Sequence, residues 1–269
     1  MNQPLILITN DDGISARGLN VLAEEMKKIG RVEIVAPDSE RSATGHAITL
    51  TDPLRVEKIY HDGELFGHAV SGTPADAVKV AVKAILDRAP DLVVSGINLG
   101  PNTGVNVIYS GTVSAATEAA IMGLKAMAVS LGTFIKPDFA VAARYAVWLA
   151  KKALQNPFPP GVVLNLNVPA LPEAKIRGVK LTRQGLAGYD EVLEKRQDLR
   201  GKTYYWLGGE LMISRDGDDC DSRALQDGFV SITPLQFDMT SYPALAELGR
   251  WGLEEERPGK EEEKTGRRS

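Results

Sequence analysis

The chain has 269 residues, of which 43% are hydrophobic and 25% charged, so it can bury a substantial core and wholesale disorder is not indicated. Its formal net charge of −4 argues against a nucleic-acid duplex as partner, because binding a phosphate backbone needs clustered Lys and Arg. The single cysteine, Cys220, leaves no internal disulfide, and no apolar run could span a bilayer, so we expect a cytoplasmic protein with no membrane partner.

The first predicted element is a buried strand at residues 5–9, which carry no charge. Two adjacent carboxylates, Asp11 and Asp12, follow it, and residues 15–30 have apolar positions at helical spacing. The pair therefore lies on a strand-to-helix loop, at the edge where open α/β sheets bind ligands. Because adjacent carboxylates repel, a bound cation is the simplest reason to keep both charged, although a turn with a helix cap is the alternative.

The next elements continue the alternation of strands and helices. Residues 31–37 are predicted to form a second short strand, which favours a parallel sheet, and the loop after it carries Ser39 and Ser42. A further helix is expected to begin after Thr73, which can cap it. Pro74 suits the first helical position, and Asp76 lies at the capping-box spacing.

A third loop combines amide side chains with the start of a helix. Residues 91–97 form the next predicted buried strand, which ends at Asn98, and a loop rich in glycine and asparagine that contains Asn102 follows. Ser110, Gly111 and Thr112 then open a helix of very small residues. The N-terminus of such a helix offers free N–H groups and partial positive charge, which suit a phosphate.

The pattern changes near Pro172. Before it, a strand at 126–131, an apolar helix at 139–154 and a strand at 162–168 complete the predicted sheet. After it, residues 176–183, 203–207, 210–214 and 229–233 are predicted strands, with Gly208 and Gly209 as a hairpin turn. We expect one α/β domain over residues 1–250, with a core at about 1–172, a β-rich extension at about 173–250, and a charged, disordered tail at 251–269.

In a parallel sheet, the loops after successive strands emerge on one edge. Here those loops carry Asp11 and Asp12, then Ser39 or Ser42, then Asn98 or Asn102. Carboxylate, hydroxyl and amide oxygens suit Mg²⁺ or Mn²⁺ and are a poor set for zinc. Because the phosphate-friendly helix start would open on the same edge, the pattern indicates phosphoryl chemistry.

Five motifs occur in order between residue 5 and about residue 131. They are NDDG, PDxxRS, SGTPAD, SGINLGPNTG and YSGTVSAATEA. In this order they resemble the SurE family, the survival protein family of 5′/3′-nucleotidases, and the similarity continues more loosely through LNLNVP, TRQG and SITPLQFD. One departure is Gln236, which stands where some members have histidine.

The resemblance implies roles for particular residues. One divalent cation per subunit, Mg²⁺ or Mn²⁺, would be held by Asp11, Asp12, Ser42 and Asn98, which selects Ser42 over Ser39. Asn102 would contact the phosphate, and we add the N–H groups at Ser110, Gly111 and Thr112. We take Asp11, Asp12 and Asn102 as the catalytic residues, with Asp11 as the acceptor of the proton from the attacking water.

The resemblance also implies a Rossmann-like, three-layer α/β core with a mostly parallel sheet and a β-hairpin-rich C-terminal extension. In the family this hairpin is exchanged between subunits, in dimers or tetramers. The implied activity is hydrolysis of nucleoside 5′- and 3′-monophosphates, with short polyphosphate as a further substrate. Two alternatives stay open: a non-catalytic nucleotide or phosphate sensor, and an enzyme that forms an aspartyl phosphate on Asp11, although such enzymes usually place their aspartates as D-x-D.

Overall fold

The structure is a computed structural model that describes residues 3–135, 137–212, 217–251 and 253. The chain divides into two compact units, Met1–Gln236 and Phe237–Ser269. The sequence placed no boundary before residue 250, whereas this division falls after Gln236. Of the predicted disordered tail, residues 252 and 254–269 lie outside the described residues. Within the described ranges, no helix is long and apolar enough to cross a membrane.

The larger unit alternates strands and helices over most of its length. Its strands are β1 (Leu5–Thr9), β2 (Arg31–Pro37), β3 (Val56–His61), β4 (Glu64–Val70), β5 (Leu92–Leu99), β6 (Ala126–Gly132), β7 (Val162–Pro169), β8 (Val179–Leu181), β9 (Gly188–Gln197), β10 (Thr203–Met212) and β11 (Val230–Gln236). Its helices are α1 (Arg17–Met26), α2 (Pro74–Val80), α3 (Asn106–Tyr109), α4 (Gly111–Ile121), α5 (Ala140–Gln155) and α6 (Asp221–Gln226). The smaller unit contains α7 (Tyr242–Leu248).

A nine-stranded sheet has the order β3-β4-β2-β1-β5-β6-β7-β11-β8. Six neighbouring strands, β4, β2, β1, β5, β6 and β7, pair in parallel. At the two ends of this group, β3 pairs antiparallel with β4, and β11 pairs antiparallel with β7. The mostly parallel α/β sheet predicted from the sequence is therefore confirmed. Because β8 and β11 extend the same sheet, the sheet continues beyond the expected end of the core near residue 172.

Helices cover both faces of this sheet, and β1 has apolar side chains that pack on each face. Ile6 and Ile8 pack in one cluster with α1 and α5, while Leu7 packs in a second cluster with α2 and α4. Successive side chains of a strand point to opposite faces, so an uninterrupted apolar run fits a strand that is covered twice. Each such side chain contributes roughly 1.5–3 kcal/mol on burial. The result is the predicted three-layer core.

The start of α2 confirms the predicted capping box. The Thr73 hydroxyl accepts the N–H of Asp76 at 3.1 Å, and the Asp76 carboxylate accepts the N–H of Thr73 at 3.0 Å. Pro74 occupies the first turn, where its missing N–H costs no hydrogen bond.

The predicted turn at Gly208 and Gly209 is wrong. Strand β10 runs without a break through both glycines and pairs antiparallel with β9 in a separate two-stranded sheet. The reversal lies at residues 198–202, where the Asp198 carboxylate accepts the N–H groups of Arg200 at 2.8 Å and Lys202 at 2.9 Å. An aspartate that bonds the backbone ahead of it makes a turn more strongly than a glycine pair that a strand can also accommodate. Residues 213 and 214 of the predicted strand 210–214 lie outside the described residues.

Candidate active site

The loops after β2, β1 and β5 border a cavity of about 500 Å³. These three strands are neighbours and run parallel, so their carboxyl ends meet at one edge of the sheet. Six of the predicted site residues line this cavity: Asp11, Asp12, Ser42, Asn98, Asn102 and Ser110. Ser39, the alternative to Ser42, does not line it, and its hydroxyl donates to the carboxylate of Asp38 at 2.7 Å.

Asp11 is 4% exposed and is held by the first turn of α4. The hydroxyl of Thr112 donates a short hydrogen bond to the Asp11 carboxylate, and the backbone N–H of Thr112 donates another. Gly111 packs on the same side chain, because a Cβ added there would lie 2.6 Å from the Cβ of Asp11. Burial raises the pKa of Asp11, and the hydrogen bonds from Thr112 oppose that rise.

The sequence assigned Gly111 and Thr112 to phosphate binding, together with Ser110. Both residues contact the Asp11 side chain, and neither is among the described residues that line the cavity. Ser110 does line the cavity, and its hydroxyl caps α4 by accepting the N–H of Val113 at 3.1 Å. Of the three residues at this helix start, the structure leaves Ser110 accessible to a ligand.

The second carboxylate, Asp12, is less buried than Asp11 and is repelled by the negative charges of two neighbouring carboxylates. Burial, followed by the negative charges of Asp11 and Glu40, raises the pKa of Asp12 to about 7. A hydrogen bond from the backbone of Leu99 acts in the opposite direction. A cation bound between the acids would remove the repulsion and favour the charged form of Asp12.

The donor set at this cavity fits a hard divalent cation. No lysine or arginine occurs among the described residues that line it, so no basic side chain there neutralises Asp11 and Asp12. The Asn98 amide nitrogen donates to the carbonyl of Gly100 at 2.8 Å, which leaves its Oδ1 atom for a cation. No group of three or more His, Cys, Asp or Glu side chains suited to a metal occurs among the described residues.

Glu40, Tyr109 and Phe134 are among the lining residues that the sequence analysis did not single out. The Glu40 carboxylate accepts the hydroxyl of Ser42 at 2.7 Å, so it orients the oxygen of a predicted cation ligand. Its position inside the PDxxRS motif was an available signal. Tyr109 is the first residue of the YSGTVSAATEA motif, whereas nothing in the sequence marked Phe134.

Asn102 is fixed by three buried polar side chains from β6 and β7. Its amide nitrogen donates to the Ser130 hydroxyl at 2.9 Å, and its backbone carbonyl accepts the Asn165 amide at 2.8 Å. Asn167 bonds both the N–H and the carbonyl of Asn102. The sequence analysis took 162–168 as a strand and LNLNVP as part of the family resemblance, without a role for its asparagines. Two asparagines in an apolar run were the overlooked signal, because a buried amide needs hydrogen-bond partners.

The chain is similar to known proteins in sequence and in fold. The family described as "Survival protein SurE" matches residues 6–191. The 5′-nucleotidase SurE of Syntrophobacter fumaroxidans is 49% identical over 248 residues, covering 92% of this chain and 99% of its own length. That of Syntrophus aciditrophicus is 52% identical over 240 residues, covering 89% of this chain and 90% of its own. The crystal structure of the SurE protein from Aquifex aeolicus superimposes with a TM-score of 0.82 at 40% identity, covering 94% of this chain and all of that one.

Proposed function

Because the chain belongs to the SurE family, we propose that it is a 5′-nucleotidase that hydrolyses nucleoside monophosphates to nucleoside and phosphate. Relatives that match nearly its whole length are named for this activity. The observation that supports it most is that the four predicted cation ligands share one cavity with Asn102 and Ser110. Phosphoryl transfer needs such an arrangement of oxygen ligands beside hydrogen-bond donors.

We further propose that activity depends on Mg²⁺ or Mn²⁺, held by Asp11, Asp12, Ser42 and Asn98. The support is the repulsion between two adjacent carboxylates in a cavity whose described lining has no basic side chain. When bound, the cation supplies Lewis acidity that polarises the phosphoryl group.

The residues of the chain then position the substrate and move the proton. Asn102 donates one amide hydrogen to Ser130, so its second hydrogen is the one to bind a non-bridging phosphate oxygen. Ser110, at the N-terminus of α4, offers its hydroxyl to the same group. Asp11, held in place by Thr112, is the proposed acceptor of the proton from the attacking water.

The substrate range and the cytoplasmic location remain predictions from the sequence. We propose that 3′-monophosphates are hydrolysed as well, and short polyphosphate is the further candidate. A nucleoside 5′-monophosphate has one phosphate and one neutral base, and the contribution of each to binding can be measured separately.

The test is release of phosphate from AMP, GMP, their 3′ isomers and short polyphosphate, before and after EDTA. We expect turnover of the 5′-monophosphates that EDTA abolishes and Mn²⁺ or Mg²⁺ restores. Tight AMP binding without turnover under any metal would instead identify a sensor. Trapping of a phosphorylated Asp11 would replace direct attack of water by an aspartyl-phosphate route.

We also propose that the chain self-associates through the hairpin of β9 and β10. This hairpin forms a sheet of its own, and its large apolar side chains are 58–65% exposed at Val192, Leu193, Tyr205, Trp206 and Leu207. A two-stranded sheet is marginal in water without a further surface to cover it. Sedimentation of the Trp206→Glu variant should show dissociation to monomers. The matched change Trp148→Glu, on α5, should leave the dimer or tetramer intact.

A further inference from the structure

Two aromatic side chains form part of the cavity lining, at its outer part. Tyr109 is the last residue of α3, one position before Ser110, and Phe134 lies two residues beyond the end of β6. Their exposed fractions are 55% and 58%, so both rings are accessible from the solvent as well as from the cavity. We call these two residues the aromatic rim. Neither has a role in holding the cation or the phosphate.

The ring of Phe134 rests on the backbone of the loop that carries Asn102. A Cβ added at Gly100 would lie 2.1 Å from Cε1 of Phe134, and Gly100 has a φ of +109°, which side chains other than glycine rarely adopt. Glycine at this position therefore allows the ring to lie directly on the loop. The ring is thereby held on the loop two residues before Asn102, the proposed phosphate-binding residue, while Phe134 stays 58% exposed.

The charges of the cavity are confined to its acidic part. Asp11, Asp12 and Glu40 are the charged residues of the described lining, and the aromatic rim adds neutral surface. A second or third phosphate would favour lysine or arginine, which the described lining lacks. A planar neutral group suits aromatic rings, and stacking of one base on such a ring contributes substantially to binding of nucleic acids. The volume of about 500 Å³ is within the range of small-molecule sites.

We propose that the aromatic rim is the nucleobase subsite of this cavity and that it binds the base by stacking. Every base has a π-face, so stacking without base-edge hydrogen bonds accepts purines and pyrimidines alike. This inference rests on the proposed nucleotidase function, because it assigns the nucleoside portion of the same substrate. It also ranks a nucleoside monophosphate above polyphosphate as the substrate that the cavity fits.

The test compares kcat/KM for AMP with kcat/KM for ribose 5-phosphate, which has the same phosphate and sugar but no base. In Phe134→Ala, Tyr109→Ala and the double variant, the AMP to ribose 5-phosphate ratio should fall about tenfold or more, mainly through KM for AMP. Phe134→Tyr and Tyr109→Phe keep a ring and should keep the ratio. The control is Tyr60→Ala on β3, because Tyr60 is 56% exposed and does not line the cavity.

Other outcomes separate this inference from the proposed function. If the alanine variants lower kcat/KM equally for AMP and for ribose 5-phosphate, the rim positions the loop and does not bind the base. A wild-type enzyme that hydrolyses ribose 5-phosphate but not AMP would overturn the base subsite and leave a phosphatase. Should neither substrate be hydrolysed, the nucleotidase proposal fails. In that case AMP affinity measured by calorimetry tests whether the rim binds the base, and this proposal is retained only if Phe134→Ala weakens AMP binding.

Discussion

The side-chain amide of Asn167 spans the backbone of Asn102: its Oδ1 atom accepts the Asn102 N–H at 2.8 Å, and its nitrogen donates to the Asn102 carbonyl at 3.0 Å. Both residues are at most 7% exposed, so water competes little for these hydrogen bonds. Asn167 belongs to β7, a central strand, and Asn102 to a loop. The strand therefore fixes the backbone from which the proposed phosphate-binding side chain extends.

Replacing Asn167 by leucine should lower kcat for AMP by about tenfold or more. The buried N–H of Asn102 would lose its partner, which costs about 1–3 kcal/mol, and the loop would lose its fixed position. The measurement combines kcat with Mn²⁺ affinity and the free energy of unfolding. We expect Mn²⁺ affinity to be retained, since Asn102 is not a predicted cation ligand.

The control for Asn167 is Asn156→Ala, because Asn156 is exposed and its amide nitrogen donates to the carbonyl of Lys152 at the end of α5. It should leave kcat unchanged. If the Asn167→Leu variant is destabilised but fully active, the bonds between Asn167 and Asn102 stabilise the fold and do not position the phosphate.

Replacing Asp12 by asparagine should weaken Mn²⁺ binding by more than about 100-fold. Loss of outer-shell partners alone costs about 10- to 100-fold, and Asp12 is predicted to bind the cation directly. Calorimetry in the absence of substrate measures this without relying on activity. Asp52→Asn, at an exposed position outside the cavity, is the control. If Asp12→Asn kept the Mn²⁺ affinity and the phosphatase rate of wild type, Asp12 would not be a cation ligand.

Replacing Thr112 by valine should lower both Mn²⁺ affinity and kcat/KM by about 10- to 100-fold, because the hydroxyl that orients Asp11 is lost. The same helix supplies a matched control. The hydroxyl of Thr117 donates to the carbonyl of Val113 within α4 at 2.9 Å, and Thr117 is not among the described residues that line the cavity. Thr117→Val should therefore have little effect on either quantity. Equal losses in both variants would assign the effect to α4 as a whole.

The pKa of Asp76 predicts how stability depends on pH. Burial acts to raise this pKa, but the hydrogen bonds from Thr49 and Thr73 outweigh it and hold the pKa below its ordinary value of about 4. The stabilisation is therefore fully present above pH 4 and is lost as the pH falls through the lower, folded-state value.

Asp76→Asn should accordingly be less stable than wild type by about 1 kcal/mol at pH 7, with a difference that shrinks as the pH falls below about 4. Urea unfolding at a series of pH values measures it. A difference that stays constant with pH would show that Asp76 acts through packing and not through its charge.

Much of the fold was predictable because its signals are local. The uncharged run at residues 5–9 indicated a strand covered on both faces, and β1 is buried along its whole length. Thr73, Pro74 and Asp76 predicted the start of α2, because a capping box involves residues three positions apart. The turn at Gly208 and Gly209 was wrong, since a local glycine signal does not exclude a strand when a stronger turn lies nearby.

By itself, the sequence determined which residues carry charge and oxygen ligands, where strands and helices begin, and which family the motifs resemble. Only the tertiary structure decided that β1 lies between β2 and β5, which brings three distant loops to one cavity. Likewise, the hydrogen bonds from Thr112 to Asp11 and from Asn102 to Asn167 span 101 and 65 residues of chain. Contacts across such separations depend on strand order and packing, which no local pattern of residues encodes.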